Sequence, residues 1–129
     1  MTYAFDDKLK EVASALVANC KARREIDGLA ETYASDAVSV EALEMGGDMP
    51  RLVAGIDAIR AKHEWWNSTF EVQNQEITGP FLHGEDRFSV MFSVKTRHRQ
   101  SGEIDGFTEI GHYTVSEGKI VREEFFYAS

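Results

Sequence analysis

The chain has 129 residues, of which 43% are hydrophobic, and this is enough for one domain with a substantial core. Its formal net charge of -8 makes sequence-independent binding to nucleic acid or to an anionic membrane surface unfavourable. No apolar run approaches the ~20 residues of a membrane span. Cys20 is the only cysteine, so no intrachain disulfide can form, and no charged segment followed by an apolar run marks a signal peptide. We therefore expect a cytoplasmic protein.

The first third of the chain predicts two helices. Apolar residues recur at three- and four-residue steps from Asp6 to Arg24, so one face of this first helix is expected to be buried. Asp27 can cap a second, short helix that carries Leu29 and Tyr33 on one face. Ala34-Ser35-Asp36 is expected to end it.

A strand, a loop and a third helix follow. The alternation and β-branched content of residues 38–43 predict a strand that holds Glu41. Gly46 to Pro50 is turn-rich and is expected to be a mobile loop that gates a pocket. The helix predicted from Ile56 to Ser68 has an inward stripe formed by Ile56, Ile59, His63 and Trp66.

The rest of the chain predicts four strands. The first is a weak strand from Phe70 to Ile77, after which Gly79-Pro80 is expected to turn the chain. The second is a long central strand from Arg87 to Arg99, and a loop from Gln100 to Gly106 follows it.

The last two strands form a hairpin from Phe107 to Tyr127 with its turn at Glu117-Gly118. Because side chains alternate along a strand, one face of the hairpin carries Phe107, Glu109, Gly111, Tyr113, Val115, Val121, Glu123, Phe125 and Tyr127. The opposite face of the second strand is expected to carry Ile120, Arg122, Glu124 and Phe126. Neither face is cleanly polar, so we expect helices on one side and a second subunit on the other.

This order of elements predicts an α+β fold with the helices on one face of the sheet. Together with the segments LAETYASDAVSV, GIDAIRA and HYTVSEGKIVREEFFY, it resembles the nuclear transport factor 2-like superfamily, especially its SnoaL-like bacterial members. The resemblance covers nearly the whole chain, and it implies a single SnoaL-like domain over residues 1–129. It implies a cystatin-like cone, in which a curved, mostly antiparallel sheet wraps around N-terminal helices and encloses an apolar pocket. The superfamily includes isomerases, cyclases, dehydratases, hydrolases and non-catalytic proteins, so fold alone does not specify an activity.

The resemblance also carries over individual positions. The general-base aspartate of ketosteroid isomerase, a relative, falls on Glu41, which keeps a carboxylate. Its protonated aspartate falls on Gly111 and its first-helix tyrosine falls near Val17, so both oxyanion donors are absent here. The acid/base aspartate of SnoaL-type cyclases also falls on Gly111, and neither mechanism transfers intact.

Alternation directs Glu41, His63, Glu109 and Glu123 toward one interior. A carboxyl group in an apolar pocket has a raised pKa and exchanges protons near neutrality, and a neighbouring imidazole would divide the roles. We predict Glu41 as the base with His63 as its partner, while Glu109 or Glu123 acts as the acid or positions the substrate. The alternative is a hydrogen-bonded core histidine with glutamates at the wet mouth of the cone.

The predicted ligand is an apolar small molecule, in a pocket lined by Tyr33, Trp66, Phe88, Val90, Phe92, Tyr113, Glu123, Phe125 and Tyr127. We expect no cofactor. We also expect no metal, because the four histidines lack the helical spacing or the Cys/His clusters of zinc sites. Two classes of function remain open: a cofactor-independent isomerase, cyclase, dehydratase or hydrolase, and a non-catalytic ligand-binding or dimerisation module.

The side of the sheet away from the helices is predicted to form a homodimer interface. Met91, Ile110 and Phe126 fall there among serine and threonine residues at 89, 93, 108 and 114. A contiguous apolar patch on a surface usually marks an interface.

Overall fold

A computed structural model of the protein describes residues 6–46 and 48–128. The described elements are α1 (Asp7–Lys21), α2 (Leu29–Thr32), β1 (Tyr33–Glu41), β2 (Leu52–Ala54), α3 (Ile56–Thr69), β3 (Phe70–His83), β4 (Arg87–His98), β5 (Ile104–Ser116) and β6 (Lys119–Ala128). The described strands form a six-stranded sheet in the order β2-β1-β6-β5-β4-β3. Strands β1 and β6 are parallel and all other neighbouring strands are antiparallel. The predicted α+β fold is confirmed.

Helix α1 has the ends and the buried face that its sequence predicts. The Asp6 carboxylate caps it by accepting hydrogen bonds from the backbone N–H groups of Lys8 and Leu9, at 2.8 and 3.3 Å. Lys21 in the last turn is favourable beside the helix dipole. The buried side chains of α1 are Leu9, Val12, Ala13, Leu16, Val17 and Cys20. They pack toward β3 and β4, so α1 covers that part of the sheet.

The helix-covered side of the sheet is called the inner face here, and the other side is the outer face. Helix α3 packs on β1, so it covers the opposite end of the inner face from α1. The core between these layers contains Phe88, Val90 and Phe92 of β4 and Tyr113 of β5, all buried. Met91, Ile110 and Phe126 point outward and are 38–48% exposed.

The start of the sheet differs from the sequence prediction in two ways. Ala34-Ser35-Asp36 does not end the short helix in a turn but belongs to β1, which runs from Tyr33 to Glu41. Its pairing with β6 is irregular between Tyr33 and Val38, which explains why this segment lacks a strand pattern. Strand β2, residues 52–54, was not predicted, since three residues are too few for a periodicity and this strand depends on pairing with β1.

Strand β3 is longer than predicted because Gly79-Pro80 does not turn the chain. The strand continues to His83, and its register with β4 shifts between Thr78 and Phe81. Proline donates no backbone hydrogen bond, but β3 is an edge strand, where a bulge absorbs this defect. The loop between β4 and β5 is shorter than the predicted loop from Gln100 to Gly106, because β5 begins at Ile104 and not at Phe107.

A register shift between β5 and β6 changes which side chains of β6 face inward. The shift lies between the pairs Thr114–Arg122 and Val115–Ile120, and it leaves Val121 as an extra residue. Ile120 is therefore fully buried, whereas simple alternation placed it on the outer face. Beyond the shift the predicted alternation holds, and Glu123 is buried while Phe126 is exposed.

Candidate functional site

A cavity of about 360 Å³ opens between the inner face of the sheet and the two long helices. Most of its wall is apolar, and pockets of this kind with a few placed polar groups are the usual small-molecule sites. The apolar lining consists of Cys20, Leu43, Met45, Trp66, Phe70, Val72, Phe92, Val94, Phe107, Phe125 and Tyr127. The polar lining consists of Arg23, Glu25, Glu44, Lys62, His63, Asn67, Gln75 and the three glutamates Glu41, Glu109 and Glu123.

An ion pair between Glu41 and Lys62 lies at the bottom of this cavity. The Lys62 Nζ is 2.7 Å from Glu41 Oε1, and the two residues are only 6% and 2% exposed. The hydroxyl of Tyr127 donates a hydrogen bond to the other oxygen, Glu41 Oε2. Burial, together with this hydrogen bond, raises the pKa of Tyr127, so the phenol remains a proton donor at neutral pH. The carboxylate of Glu41 is therefore held by a cation on one oxygen and by a phenol on the other.

Glu123 extends this polar group into the core. Its carboxylate accepts hydrogen bonds from the hydroxyls of Tyr33 and Ser39, the latter at 2.6 Å. The Lys62 Nζ donates to Ser39 Oγ at 2.8 Å, which joins the two glutamates through one lysine and one serine. The chain of contacts runs Tyr33, Glu123, Ser39, Lys62, Glu41, Tyr127. Glu41 contacts the Lys62 ammonium group directly, whereas Glu123 is linked to it only through Ser39.

Glu109 differs from the other two glutamates of the cavity. It is half-buried, and among the described residues its carboxyl group has no hydrogen bond or ion pair. Burial, and secondarily the charge of Glu41, raise its pKa to about 8, although Lys62 opposes the shift. A carboxyl group with this pKa is largely protonated at neutral pH and can donate a proton to a ligand.

His63 lines the cavity and is half-buried, but it does not contact Glu41 as predicted. In the part of the chain that the structure describes, no hydrogen bond or ion pair joins the two side chains. The partners of Glu41 are instead Lys62 and Tyr127. The buried stripe of α3 contains Ile59 and Lys62, one residue away from the predicted position at His63.

Lys62 and Ser39 were not predicted as site residues. A lysine on a helix is normally solvated, so the burial of Lys62 could be inferred only if a buried carboxylate near it in the fold were already known. The stem of Lys62 lies along the cavity, and its Nζ is 5.1 Å from the centre of the Phe125 ring, a favourable cation–π geometry.

The predicted pocket walls divide into two groups. Trp66, Phe92, Phe125 and Tyr127 line the cavity, as does Glu123. Tyr33, Phe88, Val90 and Tyr113 do not line it, because they are buried in the packed core between the sheet and the helices.

The stacking of Tyr113 explains the glycine two residues before it. The Tyr113 and Phe88 rings stack with centres 4.7 Å apart. A Cβ atom at Gly111 would lie 2.8 Å from the Tyr113 hydroxyl oxygen, so the ring occupies the space that a side chain at 111 would need. The Tyr113 ring therefore fills the space beside position 111, where relatives are expected to carry a catalytic aspartate.

The mouth of the cavity is formed by chain segments next to the predicted gating loop. Leu43, Glu44 and Met45 line it from one side, and Arg23 and Glu25 line it from the end of α1. Within the predicted loop of residues 46–50, Gly47 lies outside the described residues, and gating stays a prediction.

Residues 6–46 and 48–128 contain no group of three or more His, Cys, Asp or Glu side chains arranged to hold a metal ion. None of the helices described is both long and apolar enough to cross a membrane. Burial raises the pKa of Cys20, so its thiol is not an activated nucleophile.

Comparison with known families gives a match over nearly the whole chain. Residues 8–127 match the family described as SnoaL-like domain. Among curated proteins no match was found.

Several solved structures share the fold. A candidate SnoaL-like polyketide cyclase from Mesorhizobium loti is 31% identical, with a TM-score of 0.83, and the match covers 92% of this chain and 98% of that one. An NTF2-like protein from Burkholderia xenovorans is 15% identical, with a TM-score of 0.74 and coverage of 94% and 89%. TerC, co-crystallized with polyporic acid, is 18% identical, with a TM-score of 0.74 and coverage of 95% and 92%.

Proposed function

The chain belongs to the SnoaL-like domain family, and from this premise we propose that it binds an apolar small molecule and catalyses proton transfer on it. In this proposal the protein is a cofactor-independent isomerase, cyclase, dehydratase or hydrolase. The observation that carries the proposal is the carboxyl group of Glu109, which faces an apolar cavity and has no hydrogen-bond or ion-pair partner in residues 6–46 and 48–128, beside the ion-paired Glu41.

The two carboxyl groups have different environments. Lys62 and Tyr127 both stabilise a negative charge on Glu41, whereas burial and the charge of Glu41 disfavour a charge on Glu109. Pairs of titratable groups whose surroundings separate them in this way commonly supply the acid and the base of a reaction. We assign Glu109 as the acid and Glu41 as the base.

The roles of the neighbouring residues follow from their contacts. Lys62 orients the carboxylate of Glu41, and Ser39 and Glu123 hold Lys62 in place, so these three are positioning residues. His63 is available at the cavity wall to bond a polar group of the ligand. If the carbonyl oxygen of a ligand accepts a hydrogen bond from Glu109, the C–H group next to the carbonyl becomes more acidic. Glu41 could then remove a proton from that carbon in enolisation or in elimination of water.

The activities named for two structural neighbours are compatible with this proposal. One names a candidate polyketide cyclase and another, from Rhodopseudomonas palustris, names a candidate isomerase. TerC was co-crystallized with the small molecule polyporic acid, which supports binding of a small molecule by a protein of this fold.

Proton exchange tests the proposal before a substrate is known. Neutral apolar ketones are incubated with the protein in D₂O, and loss of the signals of protons next to the carbonyl is followed by NMR. We expect exchange with at least one ketone, and we expect Glu109→Gln to slow it by roughly 10² to 10⁴, the usual contribution of a general acid or base. Glu76→Gln, at an exposed position of β3, is the matched control and should exchange at the wild-type rate.

The alternative function is a binding module, and the closed network around Lys62 is the observation that favours it. All its polar groups already have partners, as structural polar networks in cores do. A ketone that raises the melting temperature but exchanges no faster with wild type than with Glu109→Gln would show binding without catalysis.

We also propose a homodimer through the outer face. Met91, Ile110 and Phe126 are direct neighbours across β4, β5 and β6, so their exposed side chains form a continuous patch. Phe81, which is 54% exposed on β3, adds to the apolar surface. A second copy of the chain would remove this surface from water.

A further inference from the structure

Two histidines that are 29 positions apart in the sequence meet on the outer face of the sheet. His83 at the end of β3 and His112 on β5 lie on either side of Ser89 on β4. The His83 Nε2 is 3.0 Å from Ser89 Oγ, and the His112 Nδ1 is 3.2 Å from the same oxygen. The two ring centres are 5.1 Å apart, with the rings tilted by 34°. One nitrogen of each imidazole is thus directed at a common point.

The serine hydroxyl does not use both imidazoles as acceptors. It carries a single proton, so at most one ring can accept from it, and the other ring must donate its own N–H to the oxygen. A divalent ion near this point could instead accept a lone pair from each of the two nitrogens. Neutral imidazole is a preferred ligand of Zn²⁺, Ni²⁺ and Cu²⁺.

An acidic side chain lies on the strand next to His112. Glu124 is the cross-strand neighbour of His112, and the Nε of Arg122 is 2.5 Å from its Oε1. Three adjacent hydrogen-bonded strands fix the backbone positions of His83, Ser89 and His112.

We propose that His83 and His112 form a binding site for a divalent transition-metal ion on the outer face of the sheet, with water completing the coordination. The site has two imidazoles and so falls short of the three-residue groups of structural metal sites, none of which occurs in the described ranges. A site of this kind binds metal reversibly and is independent of the proposed acid/base chemistry in the cavity.

Isothermal titration with ZnCl₂ at pH 7.5 tests the proposal. We expect one Zn²⁺ per chain with a dissociation constant in the micromolar range. His83→Ala and His112→Ala should each weaken binding by at least about 10-fold, since loss of even an outer partner of a metal ligand commonly costs 10- to 100-fold. Because His83 is exposed, its variant should fold normally even if the half-buried His112 does not tolerate substitution.

Three controls separate this site from unspecific binding. His63→Ala removes a histidine from the cavity and should bind Zn²⁺ like wild type. Ser89→Ala keeps both imidazoles and should retain binding. Mg²⁺, which prefers oxygen ligands, should not compete. The proposal is overturned if wild type does not bind Zn²⁺ below millimolar concentration, if His83→Ala binds as tightly as wild type, or if Mg²⁺ displaces the zinc.

Discussion

Replacing Lys62 with methionine probes the network on which the base assignment of Glu41 depends. Methionine keeps most of the apolar stem but removes the ammonium group that is 2.7 Å from Glu41 Oε1. Glu41 is 2% exposed, so its carboxylate cannot recover the lost interaction from bulk water. Removing one partner of a buried ion pair typically costs about 3–5 kcal/mol. The hydrogen bond from Tyr127 still stabilises the carboxylate, so we expect the lower end of this range.

Urea unfolding measures this cost directly. Lys62→Met should have a lower midpoint with an unchanged slope, because the surface exposed on unfolding is nearly the same. Lys10→Met, at an exposed position on α1, is the matched control and should change the free energy of unfolding by less than about 0.5 kcal/mol. The double variant Glu41→Gln/Lys62→Met should be more stable than the sum of the single effects predicts. If Lys62→Met were as stable as the control, a stabilising ion pair between Lys62 and Glu41 would be refuted.

Three further outcomes follow from the site and the outer face. The folded protein keeps a proton on Glu109 up to about pH 8, whereas the unfolded chain loses it near pH 4.5. The free energy of unfolding of the wild type should therefore fall with rising pH across this window, by up to about 1.4 kcal/mol per pH unit. Urea titrations at pH 5 to 9 measure this fall, and Glu109→Gln should lack it. Light scattering should give about twice the chain mass of 14.5 kDa, and Ile110→Lys should give a monomer; a wild-type monomer at micromolar concentration would contradict the dimer. Trp66→Ala should weaken binding of a neutral apolar ligand found by thermal shift, while Trp65→Ala, outside the cavity lining, should not; equal effects would place the ligand elsewhere.

Much of the fold could be predicted because helices and long strands leave periodic patterns. The burial of α1 and the alternation of β4 and β5 follow from sequence spacing alone. The errors fall where pairing, and not local preference, decides the structure. Ala34-Ser35-Asp36 lies within β1 between Tyr33 and Val38, which both pair with β6, and Gly79-Pro80 stays within β3 because an edge strand tolerates a bulge.

The candidate site was predictable in its acidic residues and not in its cation. Alternation along strands identified Glu41, Glu109 and Glu123, because a carboxylate among inward-facing apolar residues is unusual on any strand. Lys62 could not be found this way, since α3 can rotate slightly and bury a neighbouring residue in place of His63. Tyr33 was assigned to the pocket wall, but its hydroxyl binds Glu123 in the core, a contact across 90 positions that no local pattern encodes.

The protonation state of Glu109 tests the central proposal most directly. With ¹³C-labelled glutamate, the side-chain carboxyl signals can be followed by NMR from pH 4 to pH 10, and the signal missing in Glu109→Gln identifies this residue. The proposal predicts that this carboxyl group titrates near pH 8, as burial beside the charge of Glu41 requires. Titration near the ordinary value of about 4.5 would contradict it, because Glu109 would then be ionised at neutral pH and could not serve as the acid.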